Sequence, residues 1–178
     1  GGGITRAMGE LAALGHRRIA VSAYGSELRP GRQVREGFAD ATAQFGLEDS
    51  PELIIDLSDL DAQAGDSLAE RLLATNPTAA VIGGPTTLLA RCLRQLRERL
   101  GSDPFPRQLS VVAVGDEALA DVHEPALAIV TRPVDQIADA VADQLFRRLD
   151  DPSASVTSIS IPLSYRPGPS VGLLDSSR

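Results

Sequence analysis

The residues best able to do chemistry sit where apolar runs end. Residues 109–114 form an apolar run that meets Gly115 and Asp116, and residues 79–82 form another that meets Gly83, Gly84, Pro85 and Thr86. Open α/β sheets place their ligand crevices at such strand ends. Asp116 can accept hydrogen bonds from a polar ligand there, or it can cap the short helical segment Glu117–Val122 that follows. Gly83 and Gly84 ahead of a helix could cradle an anion, but the Lys and the spacing of a phosphate loop are missing, so a tight turn is the simpler reading. Thr86 reads as that helix's N-cap. His16 and His123 have no second His or Cys at ligand spacing, so no metal site is expected. The carboxylates form no recognisable acid–base pair and no nucleophile motif occurs, so the chain reads as a binding module rather than an enzyme, with no cofactor implied.

These positions need a scaffold. Ile4, Met8, Leu11 and Leu14 recur at helical spacing, and Gly15 supplies the left-handed stop. Residues 19–22 read as a first strand, and residues 24–31, with Gly25, Pro30 and Gly31, as the loop at its carboxyl end. Val34, Phe38, Ala41 and Phe45 mark a second helix that Gly46 ends. Residues 53–57 read as a second strand, and Ala64, Leu68 and Leu72 as a helix halted by Asn76 and Pro77. Residues 79–82 are the third strand; Leu89, Cys92, Leu93, Leu96 and Leu100 then share one face of a helix closed by Gly101.

Strand and helix alternate on a regular beat, which predicts right-handed crossovers and an α/β fold: a mainly parallel sheet with helices on both faces. After Pro133 the beat changes. Ile137, Val141, Leu145 and Leu149 form another helical stripe, Asp151, Pro152 and Ser153 break it, and residues 157–163 alternate as a strand. Residues 167–178, rich in Gly, Pro and Ser, read as a flexible tail.

Bulk properties narrow the function. With 178 residues, 43% of them hydrophobic, the chain can bury one substantial core. A formal charge of −7 argues against this stretch gripping nucleic acid, which needs clustered Lys and Arg. No apolar run approaches the roughly 18 residues of a membrane span. Cys92 is the single cysteine, so no intrachain disulfide can form, and with no export signal visible a cytoplasmic location is expected.

Several motifs, in this order and spacing, resemble the lactose-repressor/galactose-repressor (LacI/GalR) family of transcription regulators. They are Leu-Gly-His-Arg-Arg-Ile-Ala at 14–20, the Arg-rich run into Glu36, Gly37 and Phe38, Asn-Pro-Thr-Ala-Ala-Val at 76–81, the helix around residues 93–98, the strand and turn at 109–116, and the crossing segment 125–133. The resemblance implies the C-terminal subdomain of a periplasmic-binding-protein-like effector core. Residues 1–129 would form that subdomain, 130–150 a segment belonging to a missing N-terminal subdomain, and 151–166 a returning strand. The stripe Ile137, Val141, Leu145 and Leu149 would then lack its usual partner and re-dock on another surface or another copy of the chain.

The same resemblance implies a ligand-sensing and dimerisation region whose effector is a sugar or related small metabolite, with DNA bound only through a domain absent from this chain. Such clefts use Asp, Asn and Arg as convergent acceptors and forked donors. Here Val34 stands at the family's effector Arg, flanked by Arg32 and Arg35; either could supply the fork, or face solvent. Pro85 and Thr86 stand at its Asn-Asp turn, and Gly115 and Asp116 at its paired-Asp turn. Tyr24 either lies over the cleft or packs. Homodimer contacts are expected from Leu88, Ala90 and Leu93 on one helix and from Glu117 and Val122 on the next. Two other readings share the fold: a transporter's solute-binding protein, and a regulator core whose cleft no longer binds a small molecule.

Overall fold

Each buried apolar run becomes a parallel strand because the helix after it returns the chain to the same edge of the sheet. The computed structural model describes residues 2–58, 64–101, 103–115 and 117–174. In chain order the elements are α1 (Gly2–Ala13), β1 (Ile19–Ala23), α2 (Arg29–Phe45), β2 (Ile54–Asp56), α3 (Ala64–Ala74), β3 (Ala79–Gly83), α4 (Thr86–Leu100), β4 (Ser110–Gly115), α5 (Glu117–Val122), β5 (Ala128–Thr131), α6 (Val134–Asp150) and β6 (Ser164–Arg166). The strands lie in the order β2-β1-β3-β4-β5-β6. All pairings are parallel except β6, which runs antiparallel to β5. Val81 sits opposite both Val21 and Val112, so the central strands share one register.

Every residue of β1 is buried, as are the first four of β3 and of β4. A parallel sheet this apolar must be covered on both faces. α1 packs with α2, and α3 with α4, which supplies a helix pair for each face. Met8, Leu11, Leu68, Leu72, Leu89 and Leu96 are the large side chains these helices bury. Each is worth about 1.5 to 3 kcal/mol of transfer free energy.

The structure departs from the sequence reading at several places. α2 starts at Arg29 inside the expected loop, because Pro30 is tolerated in a first helical turn where its missing N–H is no loss. Thr86 is not the N-cap of α4: it is the first helical residue, and Pro85 takes the cap position with no side-chain cap bond. Residues 157–163 alternate in sequence yet form no strand, since they meet no sheet edge; pairing begins only at Ser164. Val130 and Thr131 remain in β5, so the excursion away from the sheet starts after Thr131 rather than at residue 130.

The tail is the largest correction. Residues 167–174 are not flexible but strap the amino edge of the sheet; residues 175–178 lie outside the described residues. Ser170 is fully buried and its hydroxyl donates to Val111 O (2.6 Å) while accepting from Ala128 N (2.8 Å), bridging β4 and β5. Its backbone N–H donates to Ala126 O, and its carbonyl accepts from Val111 N. Leu174 N donates to Leu14 O, tying the strap to the end of α1. Composition rich in Gly, Pro and Ser hides this, because the anchoring groups are backbone amides and hydroxyls rather than apolar side chains. Ser170→Ala strands the Val111 carbonyl and the Ala128 N–H away from water, and should cost about 1 to 3 kcal/mol in urea unfolding. An unchanged midpoint would mean that the strap does not hold the edge.

Candidate functional site

Strand order reverses at β1 and β3, and the carboxyl ends of the strands at such a reversal are where open α/β sheets place a ligand crevice. Ser22 sets the point of divergence. Its hydroxyl donates to Gly83 O (2.9 Å) and accepts from Gly83 N (2.7 Å), so a side chain continues the ladder where β1 and β3 part. Past that clamp, Gly84 (φ 147°) and Gly115 (φ 138°) turn the chain out of β3 and β4 through backbone conformations that side chains disfavour. Gly31 meets a different constraint. A Cβ there would lie 2.2 Å from Gly25 O and 2.3 Å from Tyr24 O, so the first turn of α2 rests directly on the loop that rims the crevice.

The arginines at this edge are already engaged. Arg32 is exposed and donates to Ser26 O (3.2 Å) and Glu27 O (2.9 Å), holding its own loop. Arg35 reaches the end of β2 and donates to Asp56 Oδ2 at 2.5 Å. Asp56 Oδ1 accepts from the backbone N–H of Ser58 (2.8 Å) and from its hydroxyl, and the Asp56 carbonyl accepts from Arg71 (2.7 Å). The Ser58 hydroxyl is the main influence holding the Asp56 carboxyl below its usual range; the Ser58 amide, Arg35 and Arg71 add to it against a partial desolvation. Asp56 therefore joins α2, α3 and the β2 turn as an ionised hub. Its role was missed in sequence, although its place at the end of a predicted strand marked it as a crevice residue.

The remaining predicted positions separate. Tyr24 is half-buried and packs against the core from the end of β1. Thr86 is exposed at the start of α4. Asp116 lies outside the described residues. The ends of β4 and β5 and the start of α6 enclose a groove of about 510 Å³, lined by Gly115, Glu117, Thr131, Arg132, Pro133 and Asp135 among others. The two histidines turn inward instead. His123 Nδ1 is 2.8 Å from Pro125 O with its ring against Phe105, and burial lowers its pKa. Cys92 is buried with its thiol pushed up to about 12 by desolvation and by Asp66, which removes it as a nucleophile.

The expected dimer residues divide the same way. Leu88 and Leu93 are 5% and 1% exposed, because α4 is buried both toward the sheet and toward α3, so neither can supply area to a second copy. Ala90, Glu117 and Val122 remain exposed, Val122 at 80%.

Comparison with known proteins agrees with this geometry. A family model described as a periplasmic binding protein-like domain matches residues 8–171. A Streptomyces limosus protein named as an HTH-type transcriptional regulator in the aml 5' region is 33% identical over 148 residues, covering 82% of this chain and 41% of that protein. The HTH-type regulator CelR of Thermobifida fusca is 26% identical over 149 residues, 83% of this chain and 43% of that protein. A solved CelR–cellobiose complex overlays 95% of this chain and 51% of its own with a TM-score of 0.82 at 23% identity. A LacI-family regulator from Enterococcus faecium with bound ribose overlays 97% of this chain and 63% of its own with a TM-score of 0.79 at 21% identity. The chain thus spans about two-fifths of the length of the sequence relatives it matches.

Two outcomes test the site. Gly31→Ala drives a methyl into the Tyr24 and Gly25 carbonyls, and should cost about 1 to 3 kcal/mol in denaturant unfolding while shifting the amide resonances of residues 24–28. The Asp56 carboxyl is ionised above the ordinary carboxylate range and loses its partners only as pH falls through a lowered midpoint. By carboxyl NMR that midpoint should lie below 3.8 and move up toward it in Ser58→Ala.

Proposed function

The chain belongs to the periplasmic binding protein-like domain family, in the form carried by LacI/GalR-type transcription regulators, and from that premise we propose that it forms one wall of a regulator's effector cleft. The observation that carries this reading is α6. None of its residues is buried, and Val141, Leu145, Phe146 and Leu149 are each more than half exposed. The following segment lies along one side of it, where Ile137, Ala140 and Val141 meet Val156, Ile159 and Ile161 across a shallow groove. That is far less cover than the expected re-docking would give. α6 leaves the sheet from the carboxyl end of β5 and returns through antiparallel β6, so it stands on the crevice side. A second subdomain built around α6 would cover its stripe and roof the crevice in one step.

In this reading an effector held between the two subdomains favours the closed arrangement, and closure changes the spacing of DNA-binding heads in a dimer. The effector class is a sugar or a related polar metabolite, supported by the cellobiose and ribose held by the two structural relatives. A dimer would use the exposed surface around Ala90, Glu117 and Val122 and not the buried Leu88 and Leu93. One observation favours a second reading, in which the cleft binds no small molecule. Arg32 and Arg35, the two arginines beside the family's effector position, are both committed to partners within the protein.

A thermal-shift screen of the full-length regulator against cellobiose, ribose, nucleosides and sugar phosphates separates the two. A ligand at 100 times its Kd adds about 2.7 kcal/mol to apparent stability, a shift easily seen. Flat curves at millimolar concentration for the whole panel would support the second reading. Leu145→Glu with Leu149→Glu tests the role of α6: the isolated chain should change by less than about 0.5 kcal/mol, since both positions face solvent. The full-length protein should lose its ligand-induced shift, and an undiminished shift would place the second subdomain elsewhere.

A further inference from the structure

His16 joins the strap to the sheet through a buried imidazole. The residue is 2% exposed, with Nδ1 3.0 Å from Thr78 Oγ1 and Nε2 3.0 Å from Gly172 O. A carbonyl only accepts, so Nε2 carries a proton and donates to Gly172 O. In the neutral ring Nδ1 then accepts from the Thr78 hydroxyl, and every polar atom of the imidazole is satisfied. A second proton on Nδ1 turns the Thr78 hydroxyl to its other acceptor, Arg18 O at 3.2 Å. The hydrogen bonds survive this change, but a full charge is then buried with no carboxylate beside it among the described residues.

The charged side chains on the surrounding elements are engaged elsewhere. Arg17 donates to Ala12 O and to the His16 carbonyl rather than the ring, and Arg18 donates to Thr75 O, Glu48 and Glu52. Glu10 on α1 acts on Tyr165, and Arg107 ahead of β4 pairs with Asp103. Among the described residues of the strap, 167–174, none is titratable. Desolvation accordingly lowers the imidazole pKa below 6.5, outweighing the opposing bond to Gly172 O.

We propose that His16 is a proton-sensitive latch on the strap formed by residues 167–174, tightest with the neutral ring and loosened when the ring is protonated. The strap continues directly from β6, and β5 and β6 are the two connections that carry α6, so release at the amino edge frees the far end of one of them. The latch lies at the edge opposite the crevice and is independent of what the crevice binds. Because the docked state disfavours the proton, docking is full above about pH 6.5 and weakens by up to about tenfold per pH unit as pH falls below it.

Hydrogen exchange on the chain, corrected for intrinsic rates, reads this directly. Between pH 7.5 and about pH 5.5 the Gly172 and Leu174 amides, bonded to Ser110 Oγ and Leu14 O, should lose protection, by up to about tenfold, while Val81 and Val112 in β3 and β4 keep theirs. In His16→Gln, whose amide can still donate to Gly172 O, the strap should show no such dependence. Strap protection independent of pH, equal losses in β3 and β4, or a pH dependence surviving in His16→Gln would each overturn the proposal. Imidazole NMR of the unaltered chain decides the matter if that variant does not fold. A His16 midpoint below 6.5 matching the exchange transition supports the latch, and one at or above 6.5 overturns it.

Discussion

The constraint on which this structure depends is that parallel strands buried on both faces can touch water only at their two ends. β1, β3 and β4 offer no polar face, so helix pairs close the sheet above and below, and everything polar is pushed to an edge. The two edges solve the problem in opposite ways. At the amino edge the strap supplies Ser170, Gly172 and the His16 contact, and the unpaired ends of β4 and β5 are satisfied within the protein. At the carboxyl edge the strands diverge past Ser22, and their glycine turns stay open.

The polar groups at the open edge show how the crevice is kept in shape. Arg32 holds the loop after β1, Arg35 and Arg71 converge on Asp56, and Ser22 fixes the start of the turn after β3. Exposed ion pairs of this kind are worth roughly 0.2 to 1 kcal/mol each, too little to hold the fold. Their effect is geometric: they fix three neighbouring loops relative to one another, as a ligand site requires. Arginines spent this way are not free forks, which separates this edge from the arrangement its family resemblance implied.

Much of the frame was legible in the sequence, because it is written in apolar periodicity and in glycine stops. Gly46 ends α2 in the left-handed conformation, and residues 109–114 predicted β4 to within a residue at each end. Four kinds of feature were not legible. Backbone and hydroxyl anchoring leaves no apolar pattern, so the strap looked like a loose tail. Alternation at 157–163 has the period of a strand but no edge to join, and pairing, not period, makes a strand. Leu88 lies off the main stripe of α4, and only the position of α3 reveals that a second side of the helix is buried. Asp56 failed for another reason. Its partners come from residues 35, 58 and 71, and no local pattern announces a hub assembled from three elements.

α6 is the place where the physics of this chain stays incomplete. A helix with an apolar stripe and no buried residue has a reason to form only if something covers it, because isolated helices draw little stability from propensity alone. Residues 154–161 give partial cover, and the rest of the stripe faces water. The sheet, by contrast, closes fully without α6: its core runs from Ile4 to Val130, and the strap completes the amino edge after the excursion has returned. The sheet and its helices therefore form a closed unit, from which α6 projects with most of its apolar stripe uncovered. The two meet through β5 and β6, side by side at the edge of the sheet and next to the groove between Gly115 and Asp135. Any force that reorients α6 must pass through those two strands, and that makes the carboxyl ends of β4 and β5, rather than the middle of the sheet, the part of the wall that movement would reshape.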